Sequence, residues 1–353
     1  MARIELRAIN KAFGAQRALR DLDLVVEDGE FFVLLGRTGA GKTTALRVIA
    51  GLEKPNSGQV FLGGHDVGGW TAAERDVALV LQQYSLYPRL TVRGNLEFPL
   101  RSRIRKFSEA EIAARVEKAA RTLQITHLLD RKVERLSGGE MQRVSIGRAI
   151  VREPSVFLMD EPLSALDAKL RESLRVELKT LHSTLRATFL FVTHDQIEAM
   201  SMADRIGVLQ KGRLVQVGTP ADIYDRPMNT FVARSVGSPP MNLIDGRLAD
   251  GMAEVGTFRL PVQAAGDRIV TFGVRPENLV LEAGAPGEAR IFDIEDQGVV
   301  KIVVMDVGDA RLHATVPAGT RVARDEVVRF GWKPERILTF DPQTGANLAL
   351  GSA

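Results

Sequence analysis

The chain has 353 residues, 45% of them hydrophobic and 26% charged, an ordinary globular composition long enough for two or three domains with substantial cores. Its 47 basic against 44 acidic residues leave a formal charge of only +3, which gives no ground for a nucleic-acid partner, and the lack of cysteine excludes disulfides and thiolate metal sites. The N-terminal stretch MARIELRAINKAF has no signal-peptide core and no window approaches a membrane span, so any membrane role is expected to run through a partner.

In chain order, residues 3–9 and 22–26 alternate apolar and polar positions and predict antiparallel strands around a turn near Phe13-Gly14. Phe31-Phe32-Val33-Leu34-Leu35 then reads as a buried strand, and the apolar spacing of Leu46, Ile49 and Ala50 predicts a helix stopped by Gly51. Between strand and helix lies Gly36-Arg37-Thr38-Gly39-Ala40-Gly41-Lys42-Thr43, which fits the phosphate-loop pattern of Gly, four residues, Gly-Lys-Ser/Thr. Glycines let consecutive N–H groups point inward at phosphate oxygens, and the helix adds its positive N-terminal end. Lys42 is placed to reach the β- and γ-phosphates and the Thr43 hydroxyl to ligate Mg²⁺. On its own the pattern also suits a glycine-rich turn.

Further strands are predicted at Gln59–Leu62 and Val77–Leu81. Ser108 and Glu111 form a possible capping box before a helix whose inner face carries Ile112, Val116, Ala120 and Leu123. Leu136-Ser137-Gly138-Gly139-Glu140 opens another helical run, a second anion-binding surface by the same backbone logic, or a plain Gly-Gly turn. Val156–Met159, Phe189–Val192 and Ile206–Leu209 return as strands, with a helix over Leu166–Leu185, and this alternation predicts a mostly parallel sheet covered on both sides. Val156-Phe157-Leu158-Met159 ends in Asp160-Glu161, two acids at the carboxyl end of a strand, where ligands of open α/β sheets bind. Asp160 is placed to hold Mg²⁺ and Glu161 to orient and deprotonate the attacking water. Near Val236-Gly237-Ser238-Pro239-Pro240 the texture changes, and the remainder reads as a small all-β barrel or sandwich.

The order of phosphate loop, LSGG-type segment, Asp160-Glu161 strand and downstream Thr193-His194-Asp195 resembles the ATPase subunit of ABC transporters, over nearly the whole chain. The resemblance implies an α/β fold: a P-loop ABC ATPase domain over 1–235 with a helical subdomain at about 84–152, then a C-terminal OB-like (TOBE/MOP-type) β regulatory domain over 236–353. It implies that ATP is bound by Phe13, stacked on adenine with Ala18 beside it, and by Gly36, Arg37, Thr38, Gly39, Ala40, Gly41, Lys42, Thr43 and Thr44. Glu161, His194 as the γ-phosphate switch, Gln82 as sensor of Mg²⁺ and water, and Lys42 would be catalytic, with Thr43, Gln82 and Asp160 at the metal. Ser137, Gly138, Gly139, Glu140 and Asp167 would act across a dimer interface with an identical chain or a paralogue. Two departures stand out: Glu140 occupies a usual Gln position and is expected to face the interface or solvent, and Gln83 replaces a usual Ser.

Tyr84, Leu86, Tyr87 and Pro88 resemble the surface that grips a permease coupling helix in sugar importers. Gly237-Ser238-Pro239-Pro240-Met241-Asn242-Leu243 and Gly273-Val274-Arg275-Pro276-Glu277 are similar to segments of the regulatory domain in maltose and glycerol-phosphate importer ATPases. The implied protein lies peripherally on the cytoplasmic face of the inner membrane. It works with two transmembrane permeases and, indirectly, an extracytoplasmic solute-binding protein, without nucleic acid, on a sugar, sugar alcohol or glycerol phosphate. Polyamine, iron or sulfate import, and a soluble ABC-type ATPase acting on nucleic acid or the ribosome, are the alternatives.

Overall fold

The structure, a computed structural model, describes residues 2–102, 107–256, 258–308 and 310–350; residues 103–106, inside the expected helical stretch, lie outside this set. The chain divides into two compact units, Met1–Pro220 and Ala221–Ala353. The sequence boundary at 235/236 falls later, because the short helices Pro220–Asp225 and Thr230–Ser235 are tied into the second unit by Arg275. Its buried guanidinium donates to the carbonyls of Tyr224 (2.6 Å), Ala233 (3.0 Å) and Val236 (2.6 Å).

In the first unit, six strands lie side by side in the order Arg213–Gly218, Arg205–Gln210, Phe31–Leu35, Thr188–Thr193, Val156–Asp160, Val77–Val80. All neighbours are parallel except the outer hairpin of Arg205–Gln210 with Arg213–Gly218, whose second strand the sequence pattern does not signal. Phe31 to Leu35 are all buried, each side chain contributing about 1.5–3 kcal/mol of transfer free energy. A four-stranded sheet built on the antiparallel pair Ile4–Phe13 and Gln16–Val26 shares a core with the inner sheet and the helix Lys42–Ile49. The expected helical excursion contains Val92–Glu97, Glu109–Thr122 and Gly138–Ile150. The Ser108–Glu111 capping box is formed, and Ile112, Val116, Ala120 and Leu123 are buried.

Register decides what these strands deliver. Leu35 pairs with Thr193, Val192 with Asp160, and Met159 with Val80. The phosphate loop, Asp160-Glu161, Thr193-His194 and the turn carrying Gln82 therefore leave the sheet from one edge, the carboxyl edge that binds ligands in such folds. The second unit is two five-stranded antiparallel sheets around one core that includes Phe272, Ile291, Val303, Leu312, Phe330 and Trp332. This matches the expected all-β domain.

Candidate functional site

The phosphate loop turns through Gly39 at φ +79° and Gly41 at φ +110°, conformations that L side chains rarely adopt. Gly41 is constrained twice, because a Cβ there would sit 2.5 Å from the Ala18 carbonyl oxygen, whereas the space around Gly39 is open. Ala18 thus lies beside the loop through its backbone. Gly39→Ala is expected to cost only backbone strain, about 1 kcal/mol, and Gly41→Ala to add a steric clash and displace the loop. Thermal melts and nucleotide titrations should show the larger losses for Gly41→Ala; equal losses would contradict the close approach to Ala18.

Lys42, only 4% exposed, has its ammonium fully engaged. It donates to the carbonyls of Gly36 (2.8 Å) and Arg37 (3.3 Å) and lies 3.2 Å from Glu161 Oε1. An ammonium has three donors, so phosphate oxygens arriving here compete with Glu161 for the third. The other oxygen, Glu161 Oε2, meets His194 Nδ1 at 2.9 Å. Glu161 adopts φ +45°, a left-handed conformation for a residue with a Cβ, just where the chain leaves its strand. Its N–H donates to the Val192 carbonyl (3.0 Å) and its carbonyl accepts from Ser164 Oγ (2.8 Å). Backbone strain fixed by such contacts is common at functional positions.

Next to this cluster, Thr43 Oγ1 donates to Asp160 Oδ1 at 2.9 Å. Burial pushes the Asp160 carboxyl above its ordinary pKa, opposed by the Thr43 hydrogen bond and reinforced by the neighbouring Glu161 charge. A hydroxyl beside a carboxylate is a hard oxygen donor set. Among the described residues no cluster of three or more His, Cys, Asp or Glu could hold a metal ion. The Thr43–Asp160 oxygen pair suits Mg²⁺, which takes one or two protein ligands and completes its shell with phosphate and water.

Gln82 donates from Nε2 to Ser164 Oγ at 3.3 Å, one hydroxyl away from the Glu161 carbonyl. His194 sits in a turn held by Thr193, whose Oγ1 accepts from the Asp195 N–H (2.9 Å) and donates to buried Glu198 Oε2 (2.6 Å). Burial raises the Glu198 pKa, with the Thr193 bond opposing. Arg37, Thr38 and Phe13 are exposed, Thr44 half-buried, and the Lys11 ammonium lies 4.8 Å from the centre of the Phe13 ring.

The remaining expected residues lie elsewhere in the first unit. Ser137 caps the helix Gly138–Ile150, and a Cβ on Gly138 would come 3.2 Å from Tyr84 Oη, so the LSGG turn abuts the loop after Gln82. Glu140, half-buried, makes its contacts at the exposed start of that helix. It folds back in a second capping box: its Oε2 accepts from the Ser137 N–H (2.7 Å) and Oγ (2.8 Å), while Ser137 Oγ accepts from the Glu140 N–H (3.4 Å). The backbone N–H of Ser137, then its hydroxyl, hold the Glu140 pKa below the usual carboxylate value, so the group stays charged at neutral pH. The stability this adds is present above the ordinary carboxylate pKa and lost as pH falls through the lowered one. Asp167 caps the helix Ala168–Leu185 of its own chain, accepting from Leu170 N–H at 3.0 Å, so that helix starts later than the apolar pattern suggests.

Tyr84 and Leu86 are half-buried, and Tyr87 and Pro88 exposed. Two residues that sequence reasoning missed shape this loop. Arg148, from the end of the helix that Ser137 caps, donates to the Ser85 carbonyl and lies 4.8 Å from the centre of the Tyr87 ring. Buried Asn95 accepts from the Tyr87 N–H (2.8 Å) and donates to its carbonyl (3.1 Å). The available signal was a lone cation in the apolar run Ile146-Gly147-Arg148-Ala149-Ile150.

The chain is similar to known proteins along most of its length. The ABC transporter family model matches residues 19–164, the MalK OB fold domain 237–279 and the TOBE domain 272–340. The trehalose/maltose import ATP-binding protein MalK of Thermococcus litoralis is 45% identical over 370 residues, spanning 98% of this chain and 99% of the relative. The sn-glycerol-3-phosphate import ATP-binding protein UgpC of Ruegeria pomeroyi is 43% identical over 99% of this chain and its whole length (100%). A dimeric structure of a bacterial ABC transporter cassette superposes with TM-score 0.56 at 30% identity, covering 62% of this chain and 98% of that one.

Proposed function

Since the chain belongs to the family of ABC importer ATP-binding subunits, which hydrolyse ATP to drive uptake, we propose that it powers import of a sugar, sugar alcohol or glycerol phosphate. The observation that carries the site assignment is the convergence of Lys42, Glu161 and His194 through contacts of 3.2 and 2.9 Å, beside the Thr43–Asp160 pair. The solute class follows the full-length relatives and the MalK-type second unit.

In the mechanism we infer, ATP phosphates enter the Gly36–Thr43 loop and draw Lys42 away from Glu161. The freed carboxylate then accepts a proton from the attacking water, with its second oxygen held by His194. Thr43 and Asp160 would hold Mg²⁺, which supplies charge neutralisation on the phosphate oxygens. Two ATPase subunits pack head to tail, a pairing that the dimeric form of the similar cassette supports only as a dimer, and each ATP lies between the Lys42 loop of one and Ser137-Gly138-Gly139 of the other. Differential affinity of ATP for the closed pair drives the conformational change. Tyr84, Leu86, Tyr87 and Pro88, braced by Arg148 and Asn95, contact the permease. No helix of the described residues is long and apolar enough to cross a membrane.

The test is affinity capture of the tagged chain from detergent-solubilised membranes of its own organism, followed by mass spectrometry. Two multi-span permeases are expected, and the solute is the one that stimulates ATPase activity of that complex. Recovery of ribosomal or DNA-bound proteins without a membrane partner would overturn the reading.

A further inference from the structure

Glu140 is the departure that the importer reading leaves unexplained. Its carboxylate takes both donors of Ser137, the N–H at 2.7 Å and the hydroxyl at 2.8 Å. A serine hydroxyl has one proton, so while Oγ donates to Glu140 it cannot donate to anything else. The first-turn N–H groups of Gly138 and Gly139 have no partner within the helix they begin. The charge of Glu140, folded back onto Ser137, sits beside these groups, where it opposes any incoming phosphate.

We propose that Glu140 is a positioning residue that competes with the γ-phosphate for the Ser137 donors, so that closure of two subunits on ATP requires these hydrogen bonds to pass from Glu140 to phosphate. The inference rests on the reading that Ser137-Gly138-Gly139 faces ATP held by the other subunit. Its consequence is a raised ATP threshold: the charged carboxylate holds the pair open until nucleotide is abundant. A glutamine at the same place preserves the capping box geometry, since its amide oxygen accepts from the same groups. It lacks the charge and is the weaker acceptor, so it yields the hydroxyl at lower ATP concentration.

The molecule contains its own control. Ser108 and Glu111 form an identical box at the helix Glu109–Thr122, with Glu111 Oε2 accepting from Ser108 N–H at 2.7 Å and Oγ at 2.8 Å, away from the residues assigned to ATP. Removing that carboxylate changes net charge and capping equally, without touching the Ser137 turn.

The experiment follows closure of the full-length pair against ATP concentration with Mg²⁺, read as the distance between spin labels placed on the two subunits, in a Glu161→Gln background where turnover is slow. Three proteins are compared: the background alone, with Glu140→Gln added, and with Glu111→Gln added. The ATP midpoint for closure is expected to fall about threefold or more with Glu140→Gln and to stay in place with Glu111→Gln. The Glu140→Gln advantage should shrink as KCl rises from about 0.05 to about 0.5 M, as screening weakens charge repulsion. Thermal melts confirm that both variants fold. An unchanged or raised midpoint with Glu140→Gln overturns the proposal, as does an equal fall with Glu111→Gln, which would mark a net-charge effect. If the background never closes at any ATP concentration, the facing-subunit reading itself fails, an outcome distinct from closure whose midpoint ignores residue 140.

Discussion

Replacing Glu161 by glutamine is expected to slow ATP hydrolysis at least about a hundredfold while leaving ATP binding intact or tighter. General-base assistance contributes about a hundred- to ten-thousandfold to proton-transfer reactions, or roughly 3–5 kcal/mol of barrier. The glutamine side chain is nearly isosteric, so the contacts to Lys42 and His194 at 3.2 and 2.9 Å can be replaced by amide contacts of similar length. What disappears is the basic oxygen and its charge. The binding half of the expectation follows from the same geometry. In the structure Lys42 is shared between two loop carbonyls and Glu161. A neutral residue 161 no longer competes with phosphate for the ammonium, so affinity should not fall. Single-turnover hydrolysis alongside equilibrium nucleotide titration separates the two effects. Turnover within a few-fold of the parent would remove Glu161 from the base role, and a large loss of affinity would mean that the carboxylate supports binding.

Replacing Lys42 by alanine is expected to have the opposite profile, weakening ATP binding about ten- to a hundredfold. Hydrogen bonds to charged groups contribute roughly 1.5–3 kcal/mol, which corresponds to that range of dissociation constants. The change also leaves Glu161 without its cation and the carbonyls of Gly36 and Arg37 without a donor. Some loss of thermal stability is therefore expected too, since removing one partner of a buried pair strands the other. Isothermal titration with a slowly hydrolysed ATP analogue, together with a thermal melt, reads both. Unchanged affinity would count against the phosphate-loop reading, whereas lost stability with retained affinity would assign Lys42 a structural role alone. Glu161→Gln and Lys42→Ala thus fail in different columns, one in rate and the other in binding. The pair tests whether nucleotide and base compete for a single ammonium.

Two boxes of identical pattern show where sequence reading stopped. Ser108-x-x-Glu111 is legible as a capping box because nothing else competes for its interpretation. Ser137-x-x-Glu140 carries the same signal, yet its place in an LSGG-type segment directed attention to phosphate and left the glutamate as an oddity. The local rule held in both places. By contrast, no local pattern places Arg148 against the Ser85 carbonyl, or Arg275 against three carbonyls from Tyr224 to Val236. These depend on which helix end packs beside which loop.

By itself the sequence determined the chemistry available to this protein. The glycine spacing before Lys42, the apolar strand ending in Asp160-Glu161, and the alternation of strands with helices are set by neighbours a few residues apart, through steric freedom, hydrophobic period and capping. It also determined that the later part is all β, from short alternating runs between turn residues. The tertiary structure alone decided that Lys42, Glu161 and His194, drawn from three separate strand ends, meet within hydrogen-bonding reach. The physical reason is that parallel strands join through ladders between distant segments, whose register follows from burying every side chain on both faces. That register, with Leu35 opposite Thr193 and Asp160 opposite Val192, brings the three groups to one edge.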